Sequence, residues 1–186
     1  LHPQVHRRAE SGSGFVDLAR LRSAGVTTLD GYLATLGKST RAQIQRSMRL
    51  YAQHGPVRLE RAATPVDAAR AFDELTARHT DKWRARGRPG FNDFPVLRDF
   101  HHRLIARETA SGGIELLRLW AGDTPFAWLY NLIDGPRVLF NAGGFEAVAD
   151  KHLKPGLVAH ALAIVAHLQA GRDTYDFLAG DDRYKT

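Results

Sequence analysis

Apolar positions along this chain recur with two different periods, and the changes between them mark its elements. From Ser39 or Thr40 to about Gln53, Ile44, Met48 and Tyr51 repeat at helical spacing, with Arg41, Arg46 and Arg49 on other faces, and Gly55-Pro56 ends the run. "VRLERA" (57–62) alternates as a strand does. A long helix is then predicted: Thr64 caps it, Pro65 suits its first position, Asp67 favours the positive end of its dipole, and Ala68, Phe72, Leu75, His79 and Trp83 form one stripe. A further helix over about 95–110 turns Leu97, Phe100, His101, Leu104 and Ile105 inward. "IELLRLWA", "PFAWLYNLI" and "RVLFNA" follow, separated by Gly122-Asp123 and Asp134-Gly135, and read as three consecutive antiparallel strands. After a loop, "GGFEAVADKHLKPG", comes a helix apolar on most sides: Leu157, Ala161, Ile164 and Leu168 with Val158, Leu162 and Val165 beside them. Such a helix belongs between two layers. "TYDFLAG" closes the chain's regular structure as a strand. Residues 1–37 show no clear period; "FVDLARL" and "TLDGYLATL" are short apolar patches able to dock on the rest. The expected fold is α/β: a mostly antiparallel sheet flanked by helices, with a strand–helix–strand crossover near the C-terminus that joins parallel strands.

Composition narrows the class. At 186 residues, 44% hydrophobic and 25% charged, the chain fits one globular domain. No apolar run reaches the roughly 18 residues of a membrane span, and the opening "LHPQVHRRAESGSG" has no signal-peptide core, so a cytoplasmic location is expected. The absence of cysteine excludes disulfides, thiolate metal sites and a cysteine nucleophile. The net charge of +6 is concentrated in residues 1–54, which hold eight Lys/Arg against three Asp/Glu. A basic front half attracts phosphate groups, nucleic acid or acidic lipid; the alternative is a solvated face.

The loop before the last helix is the first candidate site. In a crossover it lies at the carboxyl end of a strand, where free N–H groups and the helix dipole favour an anion. Lys151, His152 and Lys154 add charge, Pro155 loses nothing at the first helical position, and Gly156 allows close approach. The alternative is a helix start with solvated lysines. No phosphate-loop motif and no GxGxxG occurs, and none of the nine histidines has metal-ligand spacing, so no metal is expected. Past the final strand, Asp181, Asp182, Tyr184 and Lys185 would open onto the same cleft, where a general acid or base could work; equally, one aspartate could cap a turn.

Five ordered segments, "KSTRAQIQRSMRLY", "KWRARGRPG", "FHHRLIAR", "LKPGLVAHALAI" and "YDFLAGDDRYK", resemble the GNAT acetyltransferase superfamily, in the CelD-like branch related to the FemAB-like transferases. The resemblance covers most of 33–186 and implies a flanking segment over 1–37 and an acyltransferase domain over 38–186. Family members usually carry more chain on the N-terminal side, so this sequence is expected to be the C-terminal part of a longer protein. The resemblance implies acetyl-CoA or another acyl-CoA as cosubstrate and transfer to an amine. It places the donor's pyrophosphate on Asp150–Gly156 and the adjoining Leu157. The strand about Phe140–Gly144, with Asn141 and Gly143, would splay from the last strand and meet the thioester arm. Asp181 or Asp182 becomes the base and Tyr184 the acid; Trp83, Arg84, Arg86, Tyr130, Asp176 and Lys185 lie toward the acceptor, although core packing is an equal reading for Trp83. "ADKHLKPG" stands where the superfamily's usual Gly-rich loop would be. A FemAB-like aminoacyl-tRNA donor gripped by residues 38–54, or a non-catalytic binding module, are the competing readings. The acceptor is a small-molecule or sugar amine, and an exposed sheet edge would allow a homo-oligomer.

Overall fold

The computed structural model describes residues 13–178. In chain order the elements are β1 (Phe15–Asp17), α1 (Leu18–Ser23), α2 (Leu29–Thr35), α3 (Lys38–Ala52), β2 (Val57–Arg61), α4 (Pro65–Arg84), a 3₁₀ turn (Phe91–Asp93), α5 (Pro95–Glu108), β3 (Ile114–Ala121), β4 (Thr124–Asp134), β5 (Arg137–Phe145), α6 (Pro155–Gln169) and β6 (Thr174–Asp176). The six strands form one sheet in the order β1-β6-β5-β4-β3-β2. Only β5 and β6 run parallel; every other neighbouring pair is antiparallel. The expected mixed sheet with one parallel crossover through α6 is therefore the observed one.

Alternation along the central strands divides the core into two layers. Leu117, Leu119, Ala127, Leu129, Val138 and Phe140 face α6 and pack with its Val158, Ala161, Ile164 and Leu168. Leu116, Trp128, Tyr130 and Ala142 face the other way, onto Phe72 and Leu75 of α4 and Ile105 of α5. Fully burying a Phe or Leu side chain is worth about 1.5–3 kcal/mol, so Phe72 and Leu75, both 0% exposed, fasten α4 to the sheet. Gly144 lets that helix approach: a Cβ there would lie 2.6 Å from the Leu75 carbonyl oxygen and 2.8 Å from its Cα. Outside α6 lie α1, α2 and α3, so α6 is sandwiched as its all-round apolar surface requires. Thr64 caps α4 through the Asp67 N–H at 3.1 Å, with Pro65 in the first turn.

Four expectations are corrected. Leu97 and Phe100 do not point inward: they are 42% and 56% exposed, because α5 reaches the core only from His101 and Ile105 onward. Trp83 is only half-buried at the end of its stripe. The third strand of the meander continues through Gly143, Gly144 and Phe145, residues read as loop. The last strand is shorter than "TYDFLAG": β6 stops at Asp176, and Leu178 takes a left-handed φ of 55°. The Asp176 carboxylate accepts the Leu178 N–H at 2.8 Å, and this local bond competes with continued strand pairing. Residues 15–35 also contribute directly to the main core, through Leu18, Tyr32 and Leu33.

Candidate functional site

The parallel pair that closes the crossover opens almost as soon as it forms. β6 pairs with β5 only over Arg137↔Thr174, Val138↔Tyr175 and Leu139↔Asp176. Beyond Leu139 no described strand covers that edge of β5. At the same place β5 carries a bulge: Phe140 pairs with Asn131 and Ala142 with Tyr130, so Asn141 stands opposite no residue of β4. A bulge bends its strand and re-aims side chains, and this one falls directly after the last pair with β6. Phe140 and Tyr175 hold the inner corner of this opening through His160, whose ring meets Phe140 edge-on at 4.6 Å and whose Nδ1 lies 3.0 Å from the Tyr175 hydroxyl.

Where β5 ends, a cleft of about 910 Å³ lies between the C-terminal half of α4 and the N-terminus of α6. Arg78, Asp81 and Lys82 line it from α4 and Arg86 from the turn after it, Phe145 and Glu146 from β5 and its exit, and Leu153 to Leu157 from the start of α6. Four cations, Arg78, Lys82, Arg86 and Lys154, thus face two carboxylates. One carboxylate is engaged: Arg78 Nε donates to Glu146 Oε1 at 2.9 Å while its guanidinium lies 4.5 Å over the Trp128 ring. The Lys82 ammonium sits 5.8 Å from the centroid of Phe145.

The helix end in this cleft is open. No side chain caps α6 and no acid lies in its first turn. Lys154 N–H donates to Ser47 Oγ of α3 at 2.8 Å, and Pro155 has no N–H. The N–H groups of Gly156 and Leu157 are the remaining ones of the first turn, and both residues line the cleft. Amides without intrahelical partners, a dipole end and surplus cations together favour an anion. Behind this end, on the same face of α3 as Ser47, Tyr51 stacks on Phe126 at 3.9 Å. Its buried hydroxyl has no hydrogen-bond partner. Burial, and then the charge of Glu146, push this phenol up to about 12, so it stays protonated.

Of the residues singled out from sequence, Lys154, Gly156, Leu157 and Arg86 meet on this cleft. His152 and Lys154 also line an adjoining hollow of about 240 Å³ with Ser39, Gln43 and Arg46 of α3. The His152 N–H is tied to Asp150 Oδ1 at 2.8 Å, and Lys151 is exposed. Asn141 and Gly143 lie on the stretch of β5 beside the opening. The others stand elsewhere. Trp83 lies under the Arg88 guanidinium, 5.7 Å away, and Arg84 is paired with Asp93. Tyr130 is fully buried with its hydroxyl 3.0 Å from His101 Nδ1; burial raises the phenol and lowers the imidazole. Asp176 holds the Leu178 turn, with Arg137 3.8 Å away. Asp181, Asp182, Tyr184 and Lys185 lie outside the described residues. Arg78, Lys82, Phe145 and Glu146 were not singled out; the spacing of Arg78, Lys82 and Arg86 at i, i+4 and i+8 was the available signal. Among the described residues no cluster of His, Asp or Glu could hold a metal ion, and no helix is long and apolar enough to cross a membrane.

Comparison with known proteins places this geometry among relatives. A family model described as an acetyltransferase (GNAT) domain matches residues 38–186. No curated protein matches the sequence. Among solved structures, FemX is similar over 92% of this chain and 53% of its own, at a TM-score of 0.63 and 10% identity. The C-terminal domain of a lysylphosphatidylglycerol synthetase, described as putative, from Agrobacterium fabrum is similar over 89% of this chain and 45% of its own, at a TM-score of 0.51 and 15% identity. L-PGS from Bacillus licheniformis gives 88%, 45%, 0.51 and 13%. At these identities the likeness is one of fold, and the chain spans about half the length of these neighbours.

Proposed function

The chain belongs to the acetyltransferase (GNAT) domain family, and from that premise we propose that it is an N-acyltransferase that moves an acetyl or other acyl group from acyl-CoA to an amine. The observation that carries this reading is the uncapped start of α6 in a cleft with four cations against two acids. In this reading the donor's pyrophosphate lies on the Gly156 and Leu157 N–H groups, with Lys154, Lys82 and Arg86 supplying charge. Its thioester arm runs into the opening between β5 and β6, past Asn141 and Gly143. Cytoplasmic acyl-CoA is the donor pool, and the acceptor is a sugar or small-molecule amine of polysaccharide or cell-envelope metabolism.

The reaction is direct attack in a ternary complex. The neutral amine forms the N–C bond at the thioester carbonyl, the C–S bond breaks, the amine's proton passes to a carboxylate, and the thiolate leaves with a proton from a phenol. We assign the carboxylate to Asp181 or Asp182 and the phenol to Tyr184, with Lys185 beside them. The second reading, an aminoacyl-tRNA donor, is favoured by the basic side of α3, where Lys38, Arg41, Arg46 and Arg49 occur without an acid.

Thermal melting with acetyl-CoA, with tRNA and with neither separates the two. A donor at about 100 Kd raises stability by about 2.7 kcal/mol. A shift with acetyl-CoA alone supports the first reading; a shift with tRNA alone replaces it with the second. Turnover left intact by Tyr184→Phe together with Asp181→Asn/Asp182→Asn would remove the assignment of acid and base.

A further inference from the structure

Among the described residues, the start of α5 is the one place where large apolar side chains gather in the open. Phe94, Val96, Leu97 and Phe100 are 48%, 85%, 42% and 56% exposed, and with Asp93 and Pro95 they line a shallow hollow of about 660 Å³. The other large exposed apolar side chains among the described residues, Phe15 and Val66, stand singly on other elements. The turn is held firmly. Asn92 N–H donates to Thr80 Oγ1 at 3.0 Å, Gly90 N–H to Asp93 Oδ2 at 2.8 Å, and Arg84 pairs with Asp93. A patch this size on a fixed support marks a contact surface.

The charge around it is one-sided. Residues 84–108 contain six arginines, Arg84, Arg86, Arg88, Arg98, Arg103 and Arg107, against Asp93, Asp99 and Glu108; Arg84 is paired with Asp93 and Arg107 with Glu108, which leaves Arg86, Arg88, Arg98 and Arg103 against Asp99. On α5 itself Val96, Phe100, Arg103 and Arg107 recur at steps of four, three and four. One exposed stripe is therefore apolar at its start and basic toward its end.

We propose that this face seats the protein on an anionic lipid bilayer. Phenyl and aliphatic side chains enter the boundary between headgroups and acyl chains, while arginine guanidinium groups on long stems reach the phosphates. A second copy of the chain fits worse. A two-fold contact would lay the patch on itself and set arginine against arginine, whereas an anionic surface satisfies both halves of the stripe. The inference is independent of the acyl-transfer reading.

The test is sedimentation of the full chain with vesicles of phosphatidylcholine, with and without phosphatidylglycerol. Binding is expected only to the phosphatidylglycerol vesicles. The pair Val96→Ser/Phe100→Ser leaves the charge unchanged and weakens binding by about tenfold or more. Arg103→Gln weakens it by about fivefold, the equivalent of roughly 1 kcal/mol per basic residue at an anionic surface. Melting temperatures of these variants stay at the wild-type value, since the side chains are exposed. Three results each overturn the proposal: no sedimentation with anionic vesicles; equal binding by the serine pair; or a wild-type dimer that the serine pair converts to monomer, which assigns the face to a second copy.

Discussion

Two buried charges on β3, three residues apart and on opposite faces of the sheet, each tie down the helix that covers them. Arg118, 3% exposed, donates to Asp67 and Glu74 of α4 at 2.8 and 2.9 Å and to Glu60 of β2 at 3.3 Å. Burial works against its charge, but these carboxylates hold it more basic than an ordinary arginine. Glu115, 5% exposed, meets His167 of α6 at 2.9 Å, Arg61 of β2 at 2.6 Å and the Asn131 amide at 2.8 Å. Burial pushes its carboxyl up, yet His167, Asn131 and Arg61 together bring it below the usual range. A carboxyl depressed in the folded state binds a proton more readily when unfolded, so its contribution is full above the unfolded value of about 4.3 and is lost as pH falls through the folded value. Glu115→Gln is therefore expected to lower stability at neutral pH by about 2–3 kcal/mol, the worth of a hydrogen bond to a charged group. The gap begins to close near about pH 4.3 and goes on closing as pH falls through the depressed folded value. Urea unfolding at a series of pH values measures this; a constant gap down to pH 3 would mean that Glu115 is not the titrating group.

At the scale of elements, α6 shows why the site can remain uncapped. A helix at the surface needs caps to hold its ends, but α6 is held by Val158, Ala161, Ile164 and Leu168 between two layers, so its first amides are available to a ligand. Gly156→Asp tests this with effects of opposite sign. Its Cβ would make ordinary contact with the Phe145 ring, 3.5 Å away, so a Cβ is accepted there. An acid in the first turn should stabilise the helix by ~0.3–1 kcal/mol, while the same charge should repel a donor phosphate. A higher melting temperature with a lost acetyl-CoA shift is expected; an undiminished shift would place the donor elsewhere. The elements legible beforehand are those whose apolar positions keep one period: α3, β2, α4, α6 and the β3–β5 meander. The short β1, α1 and α2 carry too few residues to show a period and take their shape by docking. For α5 the period was readable but the reach of the core was not, which is why Leu97 and Phe100 were turned inward. The site was legible at Lys154–Leu157, where cations precede a Pro-Gly helix start. Arg78 and Lys82 were not singled out; they join the site because β5 brings Phe145 and Glu146 opposite them.

At the scale of the whole molecule, the parallel strand on which the opening depends is held from its outer side by the chain's earliest described residues. β6 has only three pairs with β5, and β1 covers its other edge with Phe15↔Asp176, Val16↔Tyr175 and Asp17↔Thr174. The link continues past the strand: Phe177 N–H donates to the Gly14 carbonyl at 3.0 Å, and the Leu18 and Ala19 N–H groups donate to the Asp173 carbonyl at 2.9 and 3.1 Å. Leu18, Tyr32 and Leu33, at 0%, 6% and 1% exposure, close the outer side of α6. The matched family domain starts at residue 38, yet a chain cut there would lose both devices. Large-to-small changes at such positions already cost about 2–5 kcal/mol each, so removing three buried side chains along with a strand exceeds the margin of an ordinary domain. A chain beginning at Lys38 is expected to melt without a cooperative transition or to aggregate through the bare edge of β6. Hydrogen exchange gives the finer reading: in the full chain the Tyr175 and Phe177 amides are protected, and Val16→Pro, which removes the ladder N–H of β1 opposite Tyr175, should speed their exchange before the exchange of α4. Unchanged protection there would mean that β5 alone suffices to hold β6 and that the first segment acts only as a cover for α6.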